Sequence, residues 1–364
     1  MGERSYDVII VGASFAGLAV ARQLRGEVLL LDRNEVGAVQ TSACGTPVWV
    51  PQALGLEKSV LQVHTKTVIH APTRTVAFDV SDAPYCTFDY RAFCQGLLEQ
   101  SRARFLRAAV RGFDGGRVET SEGSFRAPLV VDCSGWRAVL VGPREGGSDH
   151  ERGMSFGLET HTVYSGDALY FWANPRRYRE GIAWLFPVGN GSRVGLGSYA
   201  GSSKLKGPLE RFVDDLSAAP TAYHGTFFPS RLRQATTGKV FVVGDAAGQC
   251  LPLTAEGIRP ALFFGLACGG IIQRVLEGAL TLEEGLEAYG RGVERYRWAY
   301  PLLRAAQRVA MSAPEAWLGP MAALAAHPSL MARWWPRYSR FGWLTHGAGF
   351  RICRSDDGTW GGDG

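Results

Sequence analysis

Near the start of the chain, VIIVGASFAGLAVARQL (Val8 to Leu24) joins an unbroken apolar run to a glycine turn and a small-residue helical pattern. Tyr6 to Val11 suits a strand of a parallel sheet, which is buried on both faces and therefore reads as continuous rather than alternating hydrophobicity. Gly12, Ala13, Ser14, Phe15, Ala16 and Gly17 form the turn. Gly12 permits the sharp bend, Gly17 lets the helix lie close on the strand, and the helix start offers free N–H groups to an anion. A second apolar run, Glu27 to Leu31, ends at Asp32, 20 residues beyond Gly12, where a carboxylate can meet ribose hydroxyls. Ser14 stands where such turns normally carry their middle glycine. The turn taken alone fits a dinucleotide cradle and an ordinary strand-to-helix junction.

Two later runs repeat the strand-end pattern. Pro128 to Val131 leads into Asp132, Cys133, Ser134, Gly135 and Trp136, and Lys239 to Gly244 leads into Asp245, Ala246, Ala247 and Gly248 before a loop and a small-residue helix. Such junctions place carboxylates and a second helix start near a polar ligand. The 364 residues are enough for about two domains. With 46% hydrophobic and 20% charged residues the composition is that of a soluble globular protein, and the net charge of +5 is mild. No basic stripe suggests nucleic acid. Seven scattered cysteines without a C-x-x-C pair argue against a metal site and a disulfide framework and for a reducing, cytoplasmic compartment. The first apolar run ends at a glycine turn, so no cleavable signal is expected. No run of 18 apolar residues occurs, so no membrane span is expected either.

The middle of the chain has strand character. Thr65 to Val80 reads as a hairpin, and Gly153 to Ser198 holds several more runs, expected to join it in one antiparallel sheet. Aromatic residues are dense there: Phe156, Tyr170, Phe171, Trp172, Trp184 and Phe186. An aromatic-walled tunnel suits a long hydrocarbon better than a small polar acid. His64, His70 and His161 lie on these strands and are expected to be structural. Residues 280 to 332 read as helical with interruptions at Pro301, Pro314, Pro320 and Pro328. RWWPRYSRFGW (Arg333 to Trp343) suits a membrane interface, and equally a terminal helix packing its tryptophans on the domain. The glycine-rich tail is expected to be disordered.

Five blocks carry a family resemblance: the N-terminal turn with Asp32; TSACGTPVWVPQAL; VVDCSGWRAVL; GIAWLFPVGNGSRVGLGSY; and VFVVGDAAGQCLPLTAEGIRPAL. Sampling the chain from about residue 6 to 270, they resemble the geranylgeranyl reductases, flavoproteins built on the p-hydroxybenzoate hydroxylase plan. The resemblance implies an α/β fold: a Rossmann-like FAD-binding domain (1–64, 86–150 and 234–290), an inserted antiparallel β-sheet substrate domain (65–85 and 151–233), a C-terminal helical region (291–350) and a tail (351–364). It implies FAD as cofactor, its ADP half held by Gly12, Ala13, Ser14, Phe15, Ala16, Gly17, Asp32 and Arg33. Arg91, Gly135, Gly244 and Asp245 would reach the pyrophosphate and ribityl region, with Gly257 and Ile258 at the flavin pyrimidine edge. Cys44 would be the catalytic residue beside the flavin, and Cys44, Gly45, Trp184, Phe186 and Pro187 would line the substrate cavity.

The implied reaction is reduction of carbon–carbon double bonds in a long apolar, isoprenoid substrate. No firm proton donor beyond Cys44 is legible, and no second glycine turn marks an NAD(P) domain. The electron donor stays open between NAD(P)H, ferredoxin and a quinol. One departure is Ile182, where the family has a tyrosine two residues before the tryptophan. The alternative is an FAD-dependent monooxygenase hydroxylating an aromatic or polycyclic small molecule. A flavin-dependent halogenase fits less well, since Ala183-Trp184-Leu185-Phe186-Pro187 lacks the first tryptophan of the halogenase block. A redox-neutral isoprenoid cyclase or a non-enzymatic flavin-binding module also remains open.

Overall fold

The computed structural model describes residues 4–142, 154–178, 181–229, 231–339, 351–354 and 360–363. The strands of its two main sheets are, in chain order, β1 (Val8–Val11), β2 (Val28–Asp32), β3 (Lys66–Ala71), β4 (Arg74–Asp79), β5 (Arg104–Arg107), β6 (Leu129–Asp132), β7 (Met154–Thr162), β8 (Leu169–Trp172), β9 (Gly181–Pro187), β10 (Ser192–Ser198), β11 (Tyr223–Pro229), β12 (Thr236–Thr237) and β13 (Val240–Val242). The helices are α1 (Phe15–Gln23), α2 (Trp49–Leu54), α3 (Tyr90–Glu99), α4 (Lys206–Asp215), α5 (Ile258–Leu276), α6 (Leu282–Glu294), α7 (Ala299–Ser312), α8 (Glu315–Ala325) and α9 (Pro328–Ser339).

The first sheet has the order β12-β13-β6-β1-β2-β5, parallel except at β12. Its central strands are buried along their whole length, as their unbroken apolar runs require. On one face α1 packs against α5, with Ala16 and Ala19 set against Gly265 and Val20 against Gly269. Burial of each large aliphatic side chain there contributes roughly 1.5–3 kcal/mol. Against the expectation of no membrane span, α5 is long and apolar enough to cross a membrane, although Arg259, Gln273 and Arg274 interrupt its apolar residues. Its surface is instead largely buried in the core between α1 and α6.

The second sheet has the order β11-β7-β10-β9-β8-β3-β4. The hairpin β3–β4 joins it as expected, but the join is not antiparallel: β3 runs parallel to β8, pairing Thr67 with Leu169. The chain leaves β4 for the first domain and returns much later, so it can enter β8 in the same direction as β3. α4 covers one face with Leu209, Phe212 and Val213. The other face is turned toward the first domain.

The C-terminal helices break beside Pro301, Pro314 and Pro328, as expected, but not at Pro320. Pro301 lies in the first turn of α7 and Pro328 opens α9, where a missing N–H costs nothing. Pro314 precedes α8, and Pro320 lies inside it without ending it. In the tail expected to be disordered, Arg351–Arg354 and Trp360–Asp363 pair antiparallel, which satisfies their main-chain groups. Residues 355–359 and 364 lie outside the described residues.

Candidate active site

Four parallel strands end at one place. Gly12 follows β1, Asp32 closes β2, Cys133 to Gly135 follow β6, and Gly244 and Asp245 follow β13. Ligands of open parallel sheets bind beyond such carboxyl ends. Gly12 has φ +105°, and a Cβ there would meet the Cys133 carbonyl oxygen at 2.2 Å. Gly17 is equally tight, since its Cβ would meet the Gly12 carbonyl at 1.9 Å. The turn is therefore as compact as a cradle for a pyrophosphate requires. Asp32 ties it together: Oδ2 accepts from the Ala13 N–H at 2.9 Å and Oδ1 from the Asn34 N–H at 2.8 Å.

Ser14 precedes α1 and does not cap it, and no acidic residue stands in the first turn. The first helical N–H groups, which lack intrahelical partners, thus keep their affinity for an anion. The Ser14 hydroxyl lies 3.0 Å from the Tyr90 hydroxyl on α3. Phe15 points away from the turn into an edge-on cluster with Phe88, Tyr90 and Phe93. Arg33 is exposed beside Asp32, and Arg91 is exposed in the first turn of α3, against the backbone of Gly37. Gly135 has φ +77° with open space where a Cβ would stand. Gly244 lies against Ala16, at the start of α1. Asp245 lies near Gly257, the residue preceding α5, and burial pushes its carboxyl up to about 6 while Arg233 pulls it down. The cofactor residues named from the sequence thus gather along these strand ends and the starts of α1, α3 and α5.

The second group lies where the two sheets face each other. Cys44 is fully buried with φ +55°, a left-handed conformation that a non-glycine residue adopts at a cost of roughly 1 kcal/mol or more. Its thiol donates to the Ser42 carbonyl at 3.2 Å, its N–H to the Ser42 hydroxyl at 3.2 Å, and its carbonyl accepts from the Phe88 N–H at 3.1 Å. Burial pushes the thiol far up, with Arg193 pulling the other way, so Cys44 is a neutral thiol and not a thiolate nucleophile. Gly45 sits under the Phe186 ring, 3.0 Å from where its Cβ would be. The Pro187 carbonyl accepts from the Thr87 hydroxyl at 2.5 Å, joining the second sheet to a three-stranded sheet of Gly45–Pro47, Tyr85–Phe88 and Val60–His64.

Register explains the glycines of β10. His224, Glu159, Gly195, Trp184 and Phe171 stand opposite one another on five adjacent strands. Because Gly195 has no side chain, the Trp184 indole crosses β10 and donates Nε1–H to Glu159 Oε2 at 2.8 Å; a Cβ at Gly195 would lie 2.2 Å from that ring. Glu159 Oε1 lies 3.0 Å from His224 Nε2 and accepts from Gln40 Nε2 at 3.2 Å. Gln40 Nε2 also donates to the Ser42 carbonyl at 2.8 Å.

Sequence reading missed Glu159, His224, Gln40 and Arg193. A visible signal existed for one: Glu159 shares the inward parity of β7 with Ser155 and Gly157, and an acid on a buried face is anomalous. His161 was expected to be structural. It lies beside this cluster, its ring 5.7 Å from that of His224, because it continues the same inward parity. His64 bonds Thr87, with burial pushing it down to about 4, and His70 stacks on Trp172.

Of the terminal aromatics Trp335 and Tyr338 pack inward, while Trp334 is 38% exposed. Trp335 of α9 donates to the Ala83 carbonyl and stacks on Tyr338 and against Tyr85. Tyr338 donates to Glu256 at 2.8 Å and lies under the buried Arg259, which is ion-paired with Glu256. This favours the packing alternative for Arg333 to Ser339; 340–343 lie outside the described residues.

No protein-family model matches the chain. Digeranylgeranylglycerophospholipid reductase of Methanococcus vannielii is 31% identical over 319 residues, covering 79% of this chain and 82% of that protein. Reductase 2 of the same name from Methanothermobacter thermautotrophicus is 28% identical over 334 residues, covering 80% and 83%. The fold is shared with a geranylgeranyl bacteriochlorophyll reductase-like protein of Thermoplasma acidophilum, at TM-score 0.80 and 16% identity over 92% of this chain and 98% of that one. It is also shared with p-nitrophenol 4-monooxygenase PnpA of Pseudomonas putida, at TM-score 0.73 and 14% identity over 93% and 99%. A turn too tight for any side chain at Gly12, opening on four strand ends, is the cradle that FAD requires. With sequence identity sustained over most of both chains, this protein belongs to the geranylgeranyl reductase family of FAD-dependent oxidoreductases.

Proposed function

We propose that this oxidoreductase saturates carbon–carbon double bonds of a long isoprenoid lipid of the geranylgeranyl type. The observation that carries the reading is the aromatic cluster of Trp184, Phe186 and Phe171, with Phe186 set against Gly45, the neighbour of Cys44. Bound FAD, once reduced, supplies the hydride that such a reaction needs. Gly12 to Gly17 and Asp32 hold its ADP half with Arg33 beside them, and Arg91, Gly135, Gly244 and Asp245 line its middle. Gly257 and Ile258 present the start of α5 to the flavin ring, where the helix dipole favours negative charge. Cys44, as a neutral buried thiol, positions the substrate against Phe186 and Pro187. The same reading keeps the division into an FAD domain (1–64, 86–150, 234–290), a substrate domain (65–85, 151–233) and a C-terminal region.

For membrane contact the reading moves from 333–343 to α7 and α8. Trp298 and Trp317 are each 65% exposed and Leu302 and Leu324 accompany them, while Arg304 and Arg308 supply positive charge for anionic lipid. A cytoplasmic location agrees with the six described cysteines being free. The experiment is anaerobic: the dithionite-reduced holoenzyme is mixed with a digeranylgeranyl lipid and the products are weighed by mass spectrometry. The expected result is a gain of one dihydrogen per saturated bond. An oxygen-dependent hydroxylated product overturns the reading.

A further inference from the structure

Saturating a double bond adds a hydride to one carbon and a proton to the other, and the second of these has no evident source among the aromatic rings. The cluster behind Trp184 is a polar feature that reaches those rings. Glu159 is buried, while His224 lies opposite it on β11, the edge strand of the sheet, with its side chain 20% exposed. The two are joined at 3.0 Å. Glu159 Oε2 touches the Trp184 indole, and Oε1 is tied through Gln40 to the Ser42 carbonyl, which also accepts the Cys44 thiol. Because Gln40 Nε2 faces two oxygens, it must present its N–H groups to both. The same Nε2 lies 3.4 Å from His224 Nε2, so Gln40 touches both members of the pair.

We propose that Glu159 and His224 form the proton relay of this site, loading from solvent at the sheet edge and discharging beside the Trp184 indole. This rests on the double-bond reading above. In the loaded state His224 is an imidazolium and Glu159 a carboxylate. The His224 Nε2–H bond breaks as the proton passes to Glu159 Oε1. Rotation of the carboxyl brings this O–H to the Trp184 side, where it breaks as the proton forms a C–H bond on the substrate carbon that did not receive the hydride. Bound FAD, when reduced, would supply the hydride with its electron pair, and the π electrons of the double bond take up the proton. Solvent then reloads His224. The other groups facing the pair are His161 on the same strand, Arg193 on β10 and the Cys44 thiol, with Cys94 behind it. Burial lowers His161, Glu159 pulls it the other way, and Arg193 and His224 add to the lowering.

The test compares wild type, Glu159→Gln and His224→Gln as holoenzymes. Prenyl-dependent reoxidation of reduced flavin is expected to slow about 100-fold in both variants, a typical contribution of a proton donor, with reoxidation by oxygen unchanged. In wild type this rate falls as pH rises, because the relay must carry a proton; in the variants that dependence disappears. Nitrogen-15 NMR of the oxidised holoenzyme provides a readout apart from turnover: at fixed pH, Glu159→Gln moves the His224 Nε2 resonance, because the ring loses its carboxylate partner at 3.0 Å. Wild-type rates and pH profile in either variant, or an unmoved His224 Nε2 resonance, overturn the relay while leaving the double-bond reading intact. Failure of that reading looks different: wild-type flavin is then not reoxidised by any prenyl lipid, and the relay falls with it.

Discussion

His64 illustrates what burial does to one residue. Its ring is enclosed against Thr87, and burial, only partly offset by the Pro187 carbonyl and by Asp167, drops its proton affinity from an ordinary value of 6.5 to about 4. The folded protein thus binds fewer protons here than the unfolded chain between those two values. Stability is fully present above pH 6.5 and is lost as pH falls toward 4, by about 3 kcal/mol for this group. Asp245 works in the opposite sense: raised to about 6, it withdraws stability as pH climbs from 3.8 to 6. Urea unfolding followed from pH 7 to 4 is expected to show His64→Gln losing less stability than wild type over that range. Equal losses would count against the assignment. Nothing in the sequence distinguishes His64 from His224, since both lie on strands; burial and a partner across the sheet separate them.

At the scale of elements, α9 is held to the loop before α5 by an arrangement in which charge is buried. Arg259 is 2% exposed, pairs with Glu256 and donates to the Tyr338 carbonyl at 2.7 Å. Removing one partner of a buried pair leaves the other charge uncompensated. Arg259→Ala is therefore expected to cost roughly 3–5 kcal/mol. The measurement is the urea midpoint of the FAD-loaded protein, and a loss below about 1 kcal/mol would show that Glu256 is solvated after all. The G-I-R-P block is legible in the sequence as a helix start. That its arginine clasps a helix about 80 residues later, rather than a cofactor phosphate, is not legible: the contact joins segments whose spacing carries no pattern.

For the whole molecule, α7 and α8 leave tryptophans and leucines uncovered while Trp335 and Tyr338 of α9 turn inward and Trp334 stays exposed. Trp298→Ser combined with Trp317→Ser is expected to lower binding to anionic vesicles at least several-fold in flotation, since each ring loses its place at headgroup level. Truncation before Arg333 is expected to destabilise the fold instead, because Trp335 and Tyr338 are part of its packing. Vesicle binding unchanged by the double substitution would remove α7 and α8 from the membrane-facing surface.

The unbroken apolar run of β1, the compact turn after it and Asp32 determine the nucleotide-binding half by themselves. These features are local: strand burial, a positive φ and a helix start are all written within a few neighbouring residues. Trp184, Phe186 and Cys44 are likewise identifiable as a site, from blocks of sequence that resemble a family. The tertiary structure decided what lies behind them. Glu159, His224 and Gln40 come from three separate segments and meet only through the register of the second sheet and the approach of the loop before Cys44. The parallel join of β3 to β8 and the inward turn of α9 are also long-range pairings. Their energy depends on which surfaces remain to be covered once the chain has closed, and no local pattern encodes that.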